Sequence, residues 1–458
     1  MHKLKKLIPQ KLKNIYHLGQ AILANVWHGF PSRKIKIVGV TGTNGKTTTV
    51  QMIARILEEA EKKVAVASTI NFKMNGTEEI NKTKFTTLSC WAVQKFINKA
   101  VKNGCEYLVL ETSSHSLDQY RTWGIKYNTA VITNVTREHL DYHETMEEYR
   151  KAKCKLFQNV KTAVVNLDME KPEEYISCGA ENVFGYTAGS QKSKVKSQNY
   201  NSKLKIIQAE DIELGSSFSN YKLQTTNYKL SLLGLFNIEN ALAATCVGIS
   251  EGIDLKTIKN ALEKIKLIPG RMENVENNKG INIIVDYAVT PDSLEKLYEL
   301  ISNIKGTKSP IGDLVPKVVA VFGSCGERDR GKRPIMGEIV SASADYVIIT
   351  NEDPYGENPV DIINQVFSGI PLCHPEFISG SKEEIPDQVR DDISCFTENV
   401  NCWRILDRRE AIKKALALAR TGDFVIVTGK GAEETMAIGK KRIPWNDKKV
   451  IQEILQES

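Results

Sequence analysis

Short apolar runs recur along the chain, separated by stretches with helical periodicity. Residues 36–40 (KIVGV), 64–68, 107–111 (YLVLE) and 130–134 (AVITN) each read as a strand buried on both faces. Helical patterns lie between them, from Thr49 to about Lys62 and over residues 91–103. Strands that alternate with helices predict a parallel sheet covered on both sides. From 162 to 235 the strands become shorter and more polar, a β-rich part of the same domain closed by a helix over 237–251. A second α/β unit begins near Pro269, with strands at 283–286, 318–322, 346–350 and 424–428 and helices at 292–303 and 409–420. Residues 371–401 break this rhythm with scattered charge and read as a long surface insertion.

The N-terminal segment behaves differently. Residues 15–30 are apolar, follow Lys5, Lys6, Lys11 and Lys13, and include His17, Gln20, Asn25 and His28. That stretch is too short and too polar to span a bilayer. It predicts a helix packed on the next domain, with peripheral contact to anionic lipid through residues 1–34 as the other reading. The expected division is a basic helical segment 1–34, a central domain 35–267 and a C-terminal domain 268–458 carrying the insertion 371–401.

Composition narrows the classes. Over 458 residues, 41% hydrophobic and 26% charged content excludes a disordered or fibrous chain. Lys and Arg number 62 against 55 Asp and Glu. So small an excess over this length argues for no nucleic-acid partner and suits anionic small substrates. Nine cysteines at irregular spacing, with no C-x-x-C pair, predict neither a zinc site nor a disulfide framework. Free thiols in turn predict a cytoplasmic protein.

The segment TGTNGKTT at 41–48 carries the clearest chemistry. Closely spaced glycines let backbone N–H groups turn toward phosphate oxygens, Lys46 supplies a positive charge, and Thr47 offers a hydroxyl to Mg²⁺. The strict phosphate-loop spacing fails, since its first glycine would fall on Val40. Position after a buried strand and before a helix is nevertheless what a phosphate cradle needs.

Further segments follow in order: ETSSH at 111–115, TNVTREHLDYH at 133–143, Ala152-Lys153, GLFN at 234–237 with Asn240, PGRME at 269–273, VDYA at 285–288, Phe322-Gly323, RDRGKRP at 328–334 and GKG at 429–431. With the glycine loop, this series resembles the Mur ligase family from residue 36 to the C-terminus, the insertion excepted. The resemblance implies a central ATP-binding parallel-sheet domain of P-loop type and a C-terminal Rossmann-like α/β domain. It implies an ATP-dependent amide-bond ligase of peptidoglycan precursor synthesis, with ATP and Mg²⁺ as cofactors. An amino acid, expected to be a diamino acid, would be added to UDP-N-acetylmuramoyl-L-alanyl-D-glutamate through an acyl phosphate by a monomeric enzyme.

Site residues follow from the same resemblance. Gly42, Thr43, Asn44, Gly45, Lys46, Thr47 and Thr48 would hold ATP, joined by Asn237, Asn240, Arg271 and Asp286. Thr47, Glu111, His139 and a carbamylated Lys153 would serve magnesium, and Lys46, Glu111, His139 and Lys153 would form the catalytic set. Thr86, Thr87, Ser113, Gln119 and Arg121 would meet the nucleotide-linked acceptor. Arg328, Asp353, Pro354, Gly429 and Glu433 would meet the incoming amino acid, an arginine for its α-carboxylate and a glutamate for a distal ammonium.

The chain departs from the family pattern in three places. Glu352-Asp353-Pro354-Tyr355 stands where the diaminopimelate signature reads D-N-P-R, so the arginine for a second carboxylate is replaced by Tyr355. Loss of such a charge-assisted pair in a buried site costs about 2–5 kcal/mol, which favours lysine or another diamino acid without a distal carboxylate. Val289 and Ala432 replace two histidines. About 34 residues precede the ATP domain, where the family carries a full domain for the uridine nucleotide. A folylpolyglutamate-synthase-like or other peptide ligase, and a catalytically weakened membrane-associated binding module, are the competing readings.

Overall fold

The computed structural model describes residues 10–83, 85–189, 203–307, 315–373 and 395–457. These fall into two compact units: 1–136 with 143–267, and Arg137–Tyr142 with Ile268–Ser458.

The first unit opens with helix α1 (Gln10–His28). Strand β1 (Lys36–Thr41) follows, then α2 (Lys46–Glu59), β2 (Val64–Ala67), β3 (Asn71–Met74) and β4 (Thr77–Ile80). Next come α3 (Cys90–Lys102), β5 (Tyr107–Glu111), the short α4 (Ser114–Asp118), β6 (Thr129–Ile132) and α5 (Met146–Cys154). Strands β7 (Thr162–Asn166), β8 (Asn182–Thr187) and β9 (Leu204–Gln208) complete a nine-stranded sheet in the order β4-β3-β2-β5-β1-β6-β7-β8-β9. Strands β10 (Glu210–Leu214), β11 (Ser219–Leu223) and β12 (Thr226–Leu230) form a separate antiparallel sheet ahead of helix α6 (Leu235–Ser250).

The alternation of apolar runs and helices thus becomes a parallel sheet, with two differences. β3 and β4 pair antiparallel at one edge, and their polar sequences gave no strand signal. β7 and β8, read as part of a β-rich region, instead extend the parallel sheet. Val93, Ile97 and Ala100 of α3 share a core with Ile37, Leu108 and Ala130 of the strands. On the other face α2 lies on β1, β2 and β5, and α6 packs against α2. α6 is apolar almost all round and buried along most of its length, as an interior helix must be.

β1 is flanked by β5 and β6, and the chain passes from one side of β1 to the other between them. In an open α/β sheet such a reversal leaves a crevice at the carboxyl ends of the strands. The loops after β1, β5 and β6 therefore converge where a ligand fits.

The second unit is built on a six-stranded sheet, β13 (Glu273–Val275), β14 (Asn282–Asp286), β15 (Val318–Phe322), β16 (Tyr346–Thr350), β17 (Cys402–Ile405) and β18 (Phe424–Thr428), in the order β13-β14-β18-β15-β16-β17. Only β13 runs antiparallel. Helices α7 (Lys332–Ser341) and α8 (Arg408–Leu418) are among those that cover it. Ala411, Ile412 and Ala415 of α8 pack with Val319, Val425 and Val427.

Two expectations about the insertion and the cysteines need correction. Cys373 and Cys395 are joined by a disulfide with Cα atoms 5.0 Å apart, while the other seven cysteines are free thiols. Both ends of the expected 371–401 insertion belong to the fold: Phe396 N–H donates to the Pro371 carbonyl, Cys373 N–H donates to Phe396, and Phe396 is buried. The body of that insertion, 374–394, lies outside the described residues. Irregular cysteine spacing hid the pair, since nothing in the sequence brings positions 22 apart into contact.

Candidate active site

The loop after β1 is shaped by two glycines. Gly42 (φ 149°) packs so tightly that a Cβ would lie 1.8 Å from Thr133 Oγ1, and one on Gly45 (φ 80°) would lie 2.3 Å from Asn240 Oδ1. Gly45 caps α2 in the left-handed region, so the helix starts at Lys46 rather than at Thr49. Thr43 N–H donates to the Asn134 carbonyl and Asn44 N–H to Asn134 Oδ1, which ties the loop to the end of β6. Lys46 Nζ donates to the carbonyls of Gly42 (3.0 Å) and Thr43 (2.9 Å), holding its charge over the loop. Thr48 is buried beneath it.

Glu111, the last residue of β5, is buried and is gripped by three donors. Thr47 Oγ1 donates to Oε2 at 3.1 Å, Thr69 N–H to the same oxygen at 2.8 Å, and Thr69 Oγ1 to Oε1 at 2.9 Å. Alone, a glutamate here reads as a helix cap, but Ser113 caps α4 instead. Thr69 was not singled out from the sequence, where a lone threonine after a strand carries no signal. Thr86 Oγ1 lies 3.2 Å from Thr69 Oγ1, close enough to donate to it, Thr87 donates to the Glu111 carbonyl, and Arg121 Nη1 donates to the Thr87 carbonyl at 2.7 Å. Gln119 forms the C-cap of α4, and Ser113 N–H donates to Thr87 Oγ1. These acceptor-site expectations therefore share one neighbourhood beside the glycine loop.

Asn240 accepts from Thr49 Oγ1 and donates to Asn237 Oδ1, so this pair from α6 braces α2 rather than capping a helix. Lys153, on α5, is fully buried, with Nζ 4.3 Å from the centroid of the Tyr149 ring. Burial first, and the like charge of Lys46 second, push its pKa well below the usual lysine range. Among the described residues it makes no ion pair. A surface lysine is thereby excluded. A neutral buried amine is instead a nucleophile able to take up CO₂.

His143 lies beside it, with Nε2 3.0 Å from Ser114 Oγ. Burial first, and Lys153 second, lower its pKa from 6.5 to about 4. The folded state therefore binds fewer protons than the unfolded state between those values. Stability from this group is complete above pH 6.5 and is lost as pH falls toward 4. Urea midpoints measured from about pH 7 to about pH 5 are expected to fall more steeply for the natural chain than for His143→Gln. Equal slopes would remove His143 as the source.

The second unit holds the remaining residues. His139 lies in the 137–142 segment at φ 59°, and its neighbour Glu138 forms a buried ion pair with Lys332 at 3.0 Å. Arg271 stacks over Tyr287, 4.5 Å from its centroid, and burial pushes the Asp286 carboxyl up against the pull of Arg271. Arg328 is exposed in the loop that follows β15. Lys430, absent from the sequence-derived set, holds Asp353 Oδ1 at 2.8 Å and also pairs with Glu433. Glu433 accepts from Tyr287 as well, and Asp353 from Ala437 N–H. Pro354 is buried, Gly429 (φ 112°) would bring a Cβ within 2.7 Å of Glu352 Oε2, and burial pushes the Tyr355 phenol up to about 12.

Comparison with known proteins fits this geometry. Residues 40–248 match the model of the Mur ligase middle domain, and 270–431 that of the Mur ligase glutamate ligase domain. A UDP-N-acetylmuramoyl-L-alanyl-D-glutamate–2,6-diaminopimelate ligase from Syntrophomonas wolfei is 36% identical over 95% of this chain and 81% of its own. The chain belongs to the Mur ligase family. Members of this family are ATP-dependent amide-bond ligases that form ADP and phosphate. A solved structure of a UDP-N-acetylmuramoyl-L-alanyl-D-glutamate–2,6-diaminopimelate ligase is 29% identical, with a TM-score of 0.56 over 92% of this chain and 78% of that one. Folylpolyglutamate synthase from Mycobacterium tuberculosis shares the fold, with a TM-score of 0.66 over 90% of this chain and 92% of that one at 15% identity.

Mg²⁺ takes hard oxygen ligands and is usually held by one or two carboxylates together with substrate phosphates. Thr47 and Glu111 supply such oxygens within 3.1 Å of each other at the mouth of the glycine loop, so the residues present fit the ion.

Proposed function

We propose that this Mur ligase joins the amine of a diamino acid to the D-glutamyl carboxylate of UDP-N-acetylmuramoyl-L-alanyl-D-glutamate at the expense of ATP. The observation that carries the reading is Lys46 over the glycine loop and Thr47 on the buried Glu111 at the ends of β1 and β5, with the buried amine of Lys153 on α5 near enough to feel the charge of Lys46. The three-part division, a short N-terminal helix, an ATP unit 35–267 and a C-terminal unit 268–458, belongs to the same reading. So do action as a monomer and residence in the cytoplasm, where ATP is formed. Among the described residues no helix is long and apolar enough to cross a membrane.

In this reading Gly42 to Thr48 bind the triphosphate through backbone N–H groups and Lys46. Thr47, Glu111 and a carbamylated Lys153 would hold Mg²⁺, which would neutralise charge that develops on phosphate oxygens, and His139 is kept as a magnesium residue by the resemblance. Asn237 and Asn240 fix α2 and with it the direction of the loop; Arg271 and Asp286 are kept as nucleotide contacts. Thr86, Thr87, Ser113, Gln119 and Arg121 present hydroxyl, amide and guanidinium donors to the acceptor's carboxylate and phosphates. Carboxylate attack on the γ-phosphate gives an acyl phosphate and ADP, and the incoming amine then displaces phosphate. Arg328 receives the α-carboxylate of the amino acid. Asp353 and Glu433 already share Lys430, so a distal ammonium would join an existing charge network rather than meet an isolated carboxylate.

Tyr355 supports an amino acid without a distal carboxylate, since a phenol with a pKa near 12 offers one neutral donor where an arginine offers a charged fork. The names of the relatives support diaminopimelate as the second reading. Turnover with lysine and diaminopimelate in competition is expected to favour lysine by roughly tenfold or more. A strong preference for diaminopimelate would establish the second reading. Failure of both amino acids to drive ADP release would overturn the ligase assignment for this acceptor.

A further inference from the structure

Helix α1 is one-sided in an unusual sense: its buried face is small and polar, and its large apolar side chains point outward. Ala21, Ala24 and Asn25 are buried, α1 packs on α3, and Asn25 Nδ2 donates to the Trp123 carbonyl at 2.7 Å. Leu12, Ile15, Tyr16, Leu23, Val26 and Trp27 are all exposed, Trp27 to 79%. At 3.6 residues per turn these six fall within an arc of roughly 120°. A contiguous apolar stripe of this kind on a soluble unit marks an interaction surface.

Two further observations identify the partner. Residues 1–34 contain seven lysines and arginines and no aspartate or glutamate. The chain's excess of 62 basic over 55 acidic residues is also seven, so the other 424 residues carry 55 of each and balance. In sequence, the whole of the net positive charge therefore falls in the segment that carries this helix. In addition, three of the five tryptophans gather at its C-terminal end with exposed rings: Trp27 itself, Trp91 facing His28 with ring centroids 6.4 Å apart, and Trp123 beside Asn25. Indole rings around an apolar stripe suit the headgroup level of a bilayer.

We propose that α1 lies flat on an anionic phospholipid surface, its apolar stripe in the acyl boundary, with the uncompensated positive charge of the sequence 1–34 favouring the anionic headgroups. A second copy of the chain fits less well, because pairing through this face would bring seven uncompensated cations against seven more. The inference is independent of the ligase reading.

Flotation of the full chain with vesicles tests it. Binding to phosphatidylcholine vesicles carrying roughly 30% phosphatidylglycerol is expected at low salt, with weakening as salt rises. Pure phosphatidylcholine, and the Ile15→Glu/Leu23→Glu chain on anionic vesicles, are each expected to bind at least about tenfold less. Tryptophan emission should shift to the blue on binding, while ADP release in solution by the double variant stays at the natural level. Three results would overturn the proposal: no binding at low salt, binding unchanged in the double variant, or self-association of the natural chain that the double variant abolishes.

Discussion

Replacement of Lys153 by alanine is expected to lower substrate-dependent ADP release by roughly 10²–10⁴-fold while the chain remains folded. The reason lies in its surroundings. The amine is fully buried on α5, feels the charge of Lys46 and makes no ion pair among the described residues. An ammonium is costly there, whereas the neutral amine can add to CO₂, release a proton and become a carbamate. The product is an anion, which the nearby Lys46 stabilises instead of opposing. Short carboxylates such as acetate or formate should restore part of the lost activity in Lys153→Ala, because they can occupy the space with a charge of the same sign. Removal of CO₂ from the buffer should depress the natural enzyme, and bicarbonate should restore it. Unrescued activity together with indifference to CO₂ would eliminate the carbamate. A matching loss of thermal stability would reassign Lys153 to packing.

The largest stability effect is expected in the second unit, at Arg408. Its guanidinium pairs with Asp447 in two parallel bonds of 2.8 and 2.7 Å and donates to the Thr428 carbonyl, and both partners are almost wholly buried. Trp445 Nε1 also donates to Asp447. Helix α8, the end of β18 and the C-terminal helix Asp447–Glu457 therefore meet at one ion pair. Arg408→Leu leaves a buried carboxylate without its counter-charge, a change that costs about 3–5 kcal/mol. For a unit of this size the unfolding midpoint should drop by on the order of 10 °C. Substitution of both partners by leucine should recover much of that loss, since desolvated charge is then removed altogether. A single-variant loss below about 1 kcal/mol would show that water reaches the carboxylate.

Much of this architecture could be read in the chain because buried parallel strands are written as continuous apolar runs. YLVLE at 107–111 is the observed β5 residue for residue. Strands β3 and β4 escaped because NFKM and TEEI are held by edge pairing rather than by an apolar face. The glycine loop was legible because its turn chemistry is local. Lys153 was not, since MEEYRKAKC reads as a polar surface helix and its burial depends on neighbours distant in sequence. Only the resemblance marked it. The clamp of Lys430 on Asp353 spans 77 positions, and no spacing rule foretells it.

The junction at Cys373 and Cys395 has a practical corollary. Since the chain departs and returns within 5.0 Å, and β16 and β17 pair directly on the far side of it, whatever is spliced between those cysteines adds nothing to the distance that the scaffold must bridge. A reporter module or affinity handle could be grafted there with both of its ends anchored, leaving either terminus of the polypeptide unencumbered.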